Sequence, residues 1–105
     1  MTITRRTILA VLTMFAARPA QAHLWYSDYC CNGKDCAPIR PEKVRAIAGG
    51  FLVTLYPGDH PQVTERQQFL IAYKDAILSQ DNDFHICLYP TQRDMRCFYA
   101  PSTES

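Results

Sequence analysis

The chain has 105 residues, a formal net charge of +1 and five cysteines, which suits a single domain. Beyond residue 22 the acidic residues slightly outnumber the basic ones, and the basic residues are scattered along the chain. The sequence therefore offers no basic patch for nucleic acid. A domain of about 80 residues buries only about 60–65 % of its unfolded surface, so an apolar core alone gives marginal stability. These bounds argue against a nucleic-acid-binding protein and favour a small domain that needs cross-links.

Residues 1–22 have the pattern of an export signal. Arg5 and Arg6 form a basic start, residues 7–17 carry no charge, and Ala20-Gln21-Ala22 is a small-x-small cleavage site. The paired arginines also fit the twin-arginine route, so that route and the general secretory route both stay open.

We therefore expect 1–22 to be a cleaved signal peptide and the mature chain to begin at His23, in the periplasm or outside the cell. After cleavage no apolar run approaches the roughly 20 residues that span a bilayer. The mature part is predicted to be one domain over 23–100, followed by a frayed tail over 101–105.

Residues 23–41 are predicted to form an irregular, cysteine-rich loop. Asn32-Gly33 is a turn dipeptide, and Pro38 and Pro41 oppose a helix. Three aromatic residues near its start could form a recognition surface, since Trp and Tyr dominate interface hot spots, or could simply cap the small core. They are Trp25, Tyr26 and Tyr29.

A β-hairpin is predicted on either side of Gly49-Gly50, with strands over 43–48 and 51–56. The dipeptide suits a two-residue turn with positive φ at both positions. Folding the chain there pairs apolar residues that share one face, as expected for strands with one buried side. The predicted pairs are Ala48 with Phe51, Ala46 with Val53, and Val44 with Leu55.

The middle of the chain gives weaker signals. Residues 57–61 are predicted to be a turn and 74–83 a polar loop. Between them, 63–73 is ambiguous, because its start could open a short helix while 69–72 could be a buried strand.

A second hairpin is predicted from strand 84–89, through a loop at 90–94, to strand 95–99. Symmetric pairing about Gln92 places Cys87 opposite Cys97. The apolar residues of these strands, Phe84, Ile86, Leu88 and Phe98, are expected to face the main core.

The cysteines are expected to form disulfides that clamp the N-terminal loop onto the second hairpin. Directly opposed strand positions have Cβ atoms about 4.5–5.5 Å apart, whereas a relaxed disulfide needs about 3.5–4.5 Å. Cys87 and Cys97 are therefore predicted to bridge to the Cys30–Cys36 loop rather than to each other. The odd cysteine, with Cys31 among the candidates, is left free, bound to a partner, or joined to a second copy in a disulfide-linked dimer.

His23 suggests a copper site. Its α-amine and imidazole at a mature N-terminus could chelate Cu(II), and His60 or His85 could complete the site. The alternative is that His23 merely follows the cleavage site and that the other two are surface or packing residues. The cysteine spacing lacks the paired C-x-x-C knuckles of zinc sites and the C-x-x-C of thioredoxin-like proteins.

A hydrolase needs a nucleophile, a base and an orienting group. The odd cysteine with Asp59 and His60 has the right residue types. However, the chain has no nucleophile-elbow motif, and a domain of about 80 residues leaves little room for a substrate pocket of ~300 Å³.

Several motifs resemble a group of small exported bacterial proteins that share a leader, a CC-x4-C-x-P segment and two late cysteines. The motifs are His23-Leu24-Trp25-Tyr26, the segment from Cys30 to Pro38, Phe84-His85-Ile86-Cys87 and Arg96-Cys97-Phe98. The resemblance implies an exported location and brings no activity, cofactor or catalytic residue.

The sequence thus predicts a mainly β, disulfide-stabilised domain of two hairpins with an irregular cysteine-rich N-terminal loop. Its predicted function is a non-enzymatic binding or structural module, whose partner is a protein or another envelope component. A copper-binding protein that uses His23 is the rival hypothesis, and a small hydrolase is the third.

Overall fold

The computed structural model describes residues 25–31 and 33–102, and the predicted mainly β fold is confirmed. The leader, His23 and the last three residues of the predicted tail lie outside the described residues. The strands are β1 Cys36–Ile39, β2 Val44–Ile47, β3 Gly50–Leu55, β4 Gln67–Ala72, β5 Ile77–Leu78, β6 Phe84–Leu88 and β7 Met95–Ala100. Short 3-10 helices occupy Pro41–Lys43 and Tyr73–Asp75. In the described part of the chain no helix has the length and apolar character needed to cross a bilayer.

The first predicted hairpin forms β2 and β3, but its turn lies one residue earlier than expected. Val44 pairs with Val53 and Ala46 with Phe51, so each predicted pair is wrong by two positions. The turn is Ala48-Gly49, with only Gly49 at positive φ (+93°). Because a shift of two preserves the alternation of faces, Phe51, Val53 and Leu55 are buried as predicted, whereas Ala46 and Ala48 are exposed.

Gly50 belongs to the strand rather than to the turn because β4 packs closely beside it. β4 pairs antiparallel with β3 and completes a three-stranded sheet in the order β2-β3-β4. A Cβ atom at Gly50 would lie 2.2 Å from the Ile71 carbonyl oxygen, a distance no side chain can tolerate. The ambiguous middle segment is therefore a strand, and no helix opens before it.

The second hairpin forms β6 and β7, the centre of a four-stranded sheet in the order β1-β6-β7-β5. The predicted pairing of Cys87 with Cys97 is confirmed. Beyond that pair the register shifts, and Leu88 lies opposite Met95. Arg96 is consequently the extra residue of a β-bulge, which the symmetric prediction did not include.

The outer strands of this sheet, β1 and β5, lie where loops were predicted. β1 pairs antiparallel with β6, and β5 pairs parallel with β7. The Leu88 N–H donates a hydrogen bond to the Asp35 carbonyl. In an antiparallel pair every second residue bonds to the partner strand, so the backbone groups of Cys36 and Pro38 point away from β6. A proline is therefore tolerated in β1, because its missing N–H faces the open edge of the sheet.

The main core lies between the two sheets, and we call it the inter-sheet core. Phe98, Leu55, Ile86, Leu88 and Val53 are all essentially inaccessible to solvent. Ile39, Phe51, Val63, Ile71 and Ala100 complete the buried cluster. The expectation that Ile86, Leu88 and Phe98 face the main core is confirmed, with Phe84 packed against it half-buried.

The other face of the four-stranded sheet is covered by residues 25–31, which we call the N-terminal segment. Tyr26 and Cys30 pack there against Cys87, Cys97 and Tyr99, with Trp25 half-buried beside them. β6 and β7 are therefore buried on both faces, so the domain has three layers.

The Cys30–Cys97 disulfide fastens this segment to β7, and a second disulfide, Cys36–Cys87, joins the neighbouring strands β1 and β6. The predicted clamp is confirmed, and Cys31 is the odd cysteine. The premise behind that prediction was wrong, however, because Cys36 and Cys87 are themselves directly opposed on β1 and β6. They form a non-hydrogen-bonded pair, in which antiparallel strands approach more closely, and their Cα atoms are 3.9 Å apart.

Candidate functional site

Three exposed or half-exposed side chains meet at one end of the four-stranded sheet, and we call them the Tyr–Arg surface: Tyr29, Tyr89 and Arg96. The Arg96 guanidinium lies 4.0 Å from the centre of the Tyr29 ring and 5.3 Å from that of the Tyr89 ring. Tyr29 is 67 % exposed and Tyr89 is 44 % exposed. Cation–π attraction of this kind contributes about 0.5–1 kcal/mol at an exposed site, so it holds the rings beside the charge.

The backbone fixes each member of the Tyr–Arg surface. The bulge in β7 turns Arg96 out of the strand alternation, which is a common way for a sheet to re-aim a side chain. The Cys30–Cys97 disulfide joins the immediate chain neighbours of Tyr29 and Arg96. The Arg96 Nε–H also donates to the Tyr29 carbonyl, which fixes the plane of the guanidinium.

Arg96 keeps binding capacity that the fold does not use. Among the described residues, no acidic group forms an ion pair with it, and its terminal nitrogens, Nη1 and Nη2, have no hydrogen-bond acceptor. The surface therefore presents an uncompensated positive charge, with N–H donors beside two aromatic rings. A carboxylate on another molecule would match these donors.

The other two predicted surface residues lie in the packed layer. Tyr26 is only 7 % exposed, and Trp25 packs edge-on against His85 and Tyr99 at ring-centre distances of 4.8 and 5.0 Å. The structure thus places Tyr29 on the surface, whereas Trp25 and Tyr26 cap the four-stranded sheet.

A hydrogen-bond chain that runs from the buried Tyr26 hydroxyl to the exposed Asp81 ties this cap to the sheet. The Tyr26 hydroxyl lies 2.7 Å from His85 Nδ1, and His85 Nε2 lies 2.9 Å from Asp81 Oδ1. Asp81 in turn accepts hydrogen bonds from the Ser79 hydroxyl and the Asp83 N–H. A proton on His85 Nε2, with Tyr26 as donor to Nδ1, satisfies the whole chain.

This chain has the outline of a hydroxyl–imidazole–carboxylate relay, and it links the N-terminal segment to β6. Burial raises the pKa of the Tyr26 hydroxyl well above its ordinary value, so Tyr26 stays protonated. Burial also opposes ionisation of Asp81, but the hydrogen bond from His85 and those from its neighbours hold the pKa of Asp81 below its ordinary value. The result is a charged carboxylate that anchors a buried imidazole.

Among the described residues, one cluster has the residue types of a metal site: Asp81, Asp83 and His85. Their ligand atoms lie within 4.8 Å of one another. A cation there would have to replace the hydrogen bond that His85 now makes to Asp81. His60 does not join this group. The copper hypothesis depends on His23, which lies outside the described residues, so it stays a prediction.

From the turn that follows β3, the His60 side chain bonds to backbone groups. It is 2 % exposed, and its Nε2 lies 3.0 Å from the Asp35 carbonyl and 3.1 Å from the Ile86 carbonyl, while its Nδ1 accepts from the Gln62 N–H. Burial lowers the pKa of His60 below its ordinary value, and the two carbonyls and the Asp35 charge offset this only in part. Both ring nitrogens are thus engaged by a neutral imidazole.

The three residues of the hydrolase hypothesis make separate contacts. The half-buried Cys31 thiol points to the Gly33 carbonyl, at 3.5 Å. The Asp59 carboxylate pairs with Lys43 and accepts the Tyr56 N–H, and His60 bonds to the backbone as described. No hydrogen bond joins any two of these side chains in the described residues.

Comparison of the chain with protein-family models, with curated proteins and with solved structures found no match. The resemblance to small exported bacterial proteins therefore stays a prediction based on the motifs described above.

The sequence indicated only one member of the Tyr–Arg surface, Tyr29. Tyr89 and Arg96 carried no separate signal, because a β-bulge and a disulfide pairing bring them together. The composition itself was the available hint, since Tyr and Arg are enriched at interface hot spots.

Proposed function

We propose that this protein is an exported, non-enzymatic binding module that recognises a protein partner through the Tyr–Arg surface. The observation that carries the proposal is the uncompensated Arg96 guanidinium, which lies 4.0 and 5.3 Å from two exposed tyrosine rings. Export is supported by the leader pattern of residues 1–22 and by two disulfides, which persist in oxidising compartments.

The chemistry of the surface favours a protein as the partner. Tyrosine offers a large, rigid contact area with one polar tip, and arginine offers a planar fork of donors. A partner that places an Asp or Glu carboxylate on Arg96 would gain a charge-assisted bond inside an aromatic rim. The Cys30–Cys97 disulfide holds the surface in shape, so little order has to be gained on binding.

The test compares two arginine variants that differ in position but not in chemistry. Wild-type protein, Arg96→Gln and Arg66→Gln are immobilised and exposed to envelope proteins of the producing cell, and the captured proteins are quantified by mass spectrometry. Gln at position 96 still offers an N–H donor to Tyr29 but carries no charge. Arg66 is exposed and has no ion pair among the described residues, so it is the matched control.

We expect at least one protein that wild type and Arg66→Gln retain equally and that Arg96→Gln retains at least tenfold less, because hot-spot residues contribute about 2 kcal/mol or more. Tyr29→Ala should show the same loss. Equal retention by all variants, or the absence of any partner that responds to Arg96, would overturn the proposal.

A further inference from the structure

A second surface feature lies on the far side of the molecule, on the outer face of the three-stranded sheet. It is a pocket of about 320 Å³ lined by residues of all three strands and of the 3-10 helix Pro41–Lys43. This volume is at the lower end of the range for small-molecule sites, about 300–1,000 Å³. The Tyr–Arg surface shares no residue with it.

Two of the charges in the pocket are already paired. The Glu42 carboxylate forms an ion pair with Arg40, with a distance of 2.6 Å between Arg40 Nη2 and Glu42 Oε2. Lys43 binds Asp59, with 3.1 Å between Nζ and Oδ2, and its ammonium lies 5.5 Å from the centre of the Tyr56 ring.

Arg45 is the third charged residue that lines the pocket, and it is not paired. It forms no ion pair and no side-chain hydrogen bond with any of the described residues. The pocket therefore carries one net positive charge, which a single negative charge on a ligand would balance.

The remaining lining residues offer an apolar floor and neutral hydrogen-bonding groups. Leu52 is half-buried and lies next to Thr54 on the same face of β3. Gln68 Nε2 donates to Thr54 Oγ1 at 3.0 Å, which leaves the Thr54 hydroxyl hydrogen and the Gln68 carbonyl oxygen available to a ligand.

We propose that this pocket binds a small monocarboxylate with an apolar body, its carboxylate on Arg45 and its body over Leu52. An arginine fork matches a planar carboxylate in a bidentate geometry. Because the pocket carries only one net positive charge, a phosphate dianion would leave one negative charge unbalanced and fits less well. The proposal is independent of the Tyr–Arg surface and of any protein partner.

The test titrates isotope-labelled protein with benzoate, and in parallel with benzamide, while amide chemical shifts are recorded. The two probes have the same ring, and only benzoate carries the charge. The protein variants are Arg45→Gln and, as the matched control, Arg66→Gln, an exposed arginine that does not line the pocket.

Benzoate is expected to give saturable shifts at Leu52, Thr54 and Gln68 in wild type and Arg66→Gln, at millimolar concentrations typical of a ligand this small. Binding of benzamide to wild type, and of benzoate to Arg45→Gln, should each be at least tenfold weaker. Equal binding of both probes, unchanged binding to Arg45→Gln, or no saturable shift in wild type would each overturn the proposal. The comparison of the two probes uses wild-type protein alone, so the test stands even if a variant does not fold.

Discussion

The two faces of the β6–β7 hairpin are buried by different means. One face packs against the three-stranded sheet through aliphatic and phenyl side chains. The Phe98 ring is tilted against Phe51 and stacked on Phe84, at ring-centre distances of 5.4 and 5.9 Å. The other face is covered by the N-terminal segment, which is held by the Cys30–Cys97 disulfide and by the hydrogen-bond chain from Tyr26 to Asp81. The Cys36–Cys87 disulfide cross-links β1 to β6 beside it.

The difference shows how a small domain can bury both sides of one hairpin. An apolar layer needs many residues in regular strands, because each contributes only by the area it removes from water. The N-terminal segment has only seven residues, 25–31, so it relies on one covalent cross-link and a few specific polar contacts instead. The inter-sheet core should therefore tolerate loss of the cross-links better than the N-terminal layer does.

The largest effect is expected from reducing both disulfides. They join residues 67 and 51 positions apart, and the chain-entropy model assigns about 4 kcal/mol to each. We expect the cooperative thermal transition to disappear or to fall to a much lower temperature, as followed by circular dichroism. A sharp transition at an unchanged temperature would contradict this. Cys31→Ala, which removes only the free thiol, is the control and should melt like wild type.

A substitution in the inter-sheet core should come next. Phe98→Ala removes a side chain that is fully buried between the sheets and is expected to cost about 3–5 kcal/mol of unfolding free energy. Urea unfolding measures the loss. Leu70→Ala on the exposed face of β4, where the side chain is 63 % exposed, should change stability by no more than about 0.5 kcal/mol. Similar costs for the two variants would show that the inter-sheet core is not the main stabilising layer.

A smaller loss is expected from Tyr26→Phe, which tests the polar tie of the N-terminal layer. The substitution keeps the ring but leaves the buried His85 Nδ1 without its donor, at a cost of about 1–3 kcal/mol. The matched control is Tyr29→Phe, because the Tyr29 ring is exposed and should not depend on its hydroxyl for stability. If both variants unfold at the same urea concentration as wild type, the hydrogen-bond chain adds nothing to stability.

The smallest effect concerns His60 and pH. Burial lowers the pKa of His60 in the folded state, so the unfolded chain binds a proton more readily as the pH falls below about 6.5. The free energy of unfolding should therefore decrease between pH 7 and pH 5. His60→Gln keeps an N–H donor for the Asp35 and Ile86 carbonyls but does not titrate, so its stability should fall less over this range. Parallel slopes for the two proteins in urea unfolding at each pH would refute the role of His60.

The interval from pH 7 to pH 5 distinguishes the contribution of His60 to stability from that of Asp81. A carboxylate whose pKa is lowered by folding contributes stability that is fully present above its unfolded value, near pH 4, and is lost only below it. Asp81 should therefore affect the unfolding free energy in acid, outside the interval from pH 7 to pH 5.

Regular apolar alternation made the inter-sheet core predictable from the sequence. The faces of both hairpins follow from it, because one residue in two must point inward. The turn at Gly49 was misplaced because two adjacent glycines suggest a turn equally well, and only the closeness of β4 distinguishes them. β1 and β5 were missed because strands of four and two residues carry too little alternation to be recognised.

The Tyr–Arg surface could not be predicted in the same way. Tyr89 and Arg96 meet because the register shifts after Cys87, and nothing in the residue pattern marks a bulge there. The disulfide clamp was predicted correctly from an incorrect premise. Opposed positions are unsuitable for a disulfide only in the wider, hydrogen-bonded pairs, and Cys36 faces Cys87 across a narrow one.

Pro38 has a consequence for how molecules of this protein can associate. Of the two positions in β1 whose backbone faces the open edge, Cys36 and Pro38, the second has no N–H to offer an incoming strand. At the opposite edge of the same sheet, β5 is only two residues long. The four-stranded sheet is thereby protected at both described edges against strand addition. The edges of the three-stranded sheet, β2 and β4, contain no proline and are the ones left for intermolecular β-sheet growth.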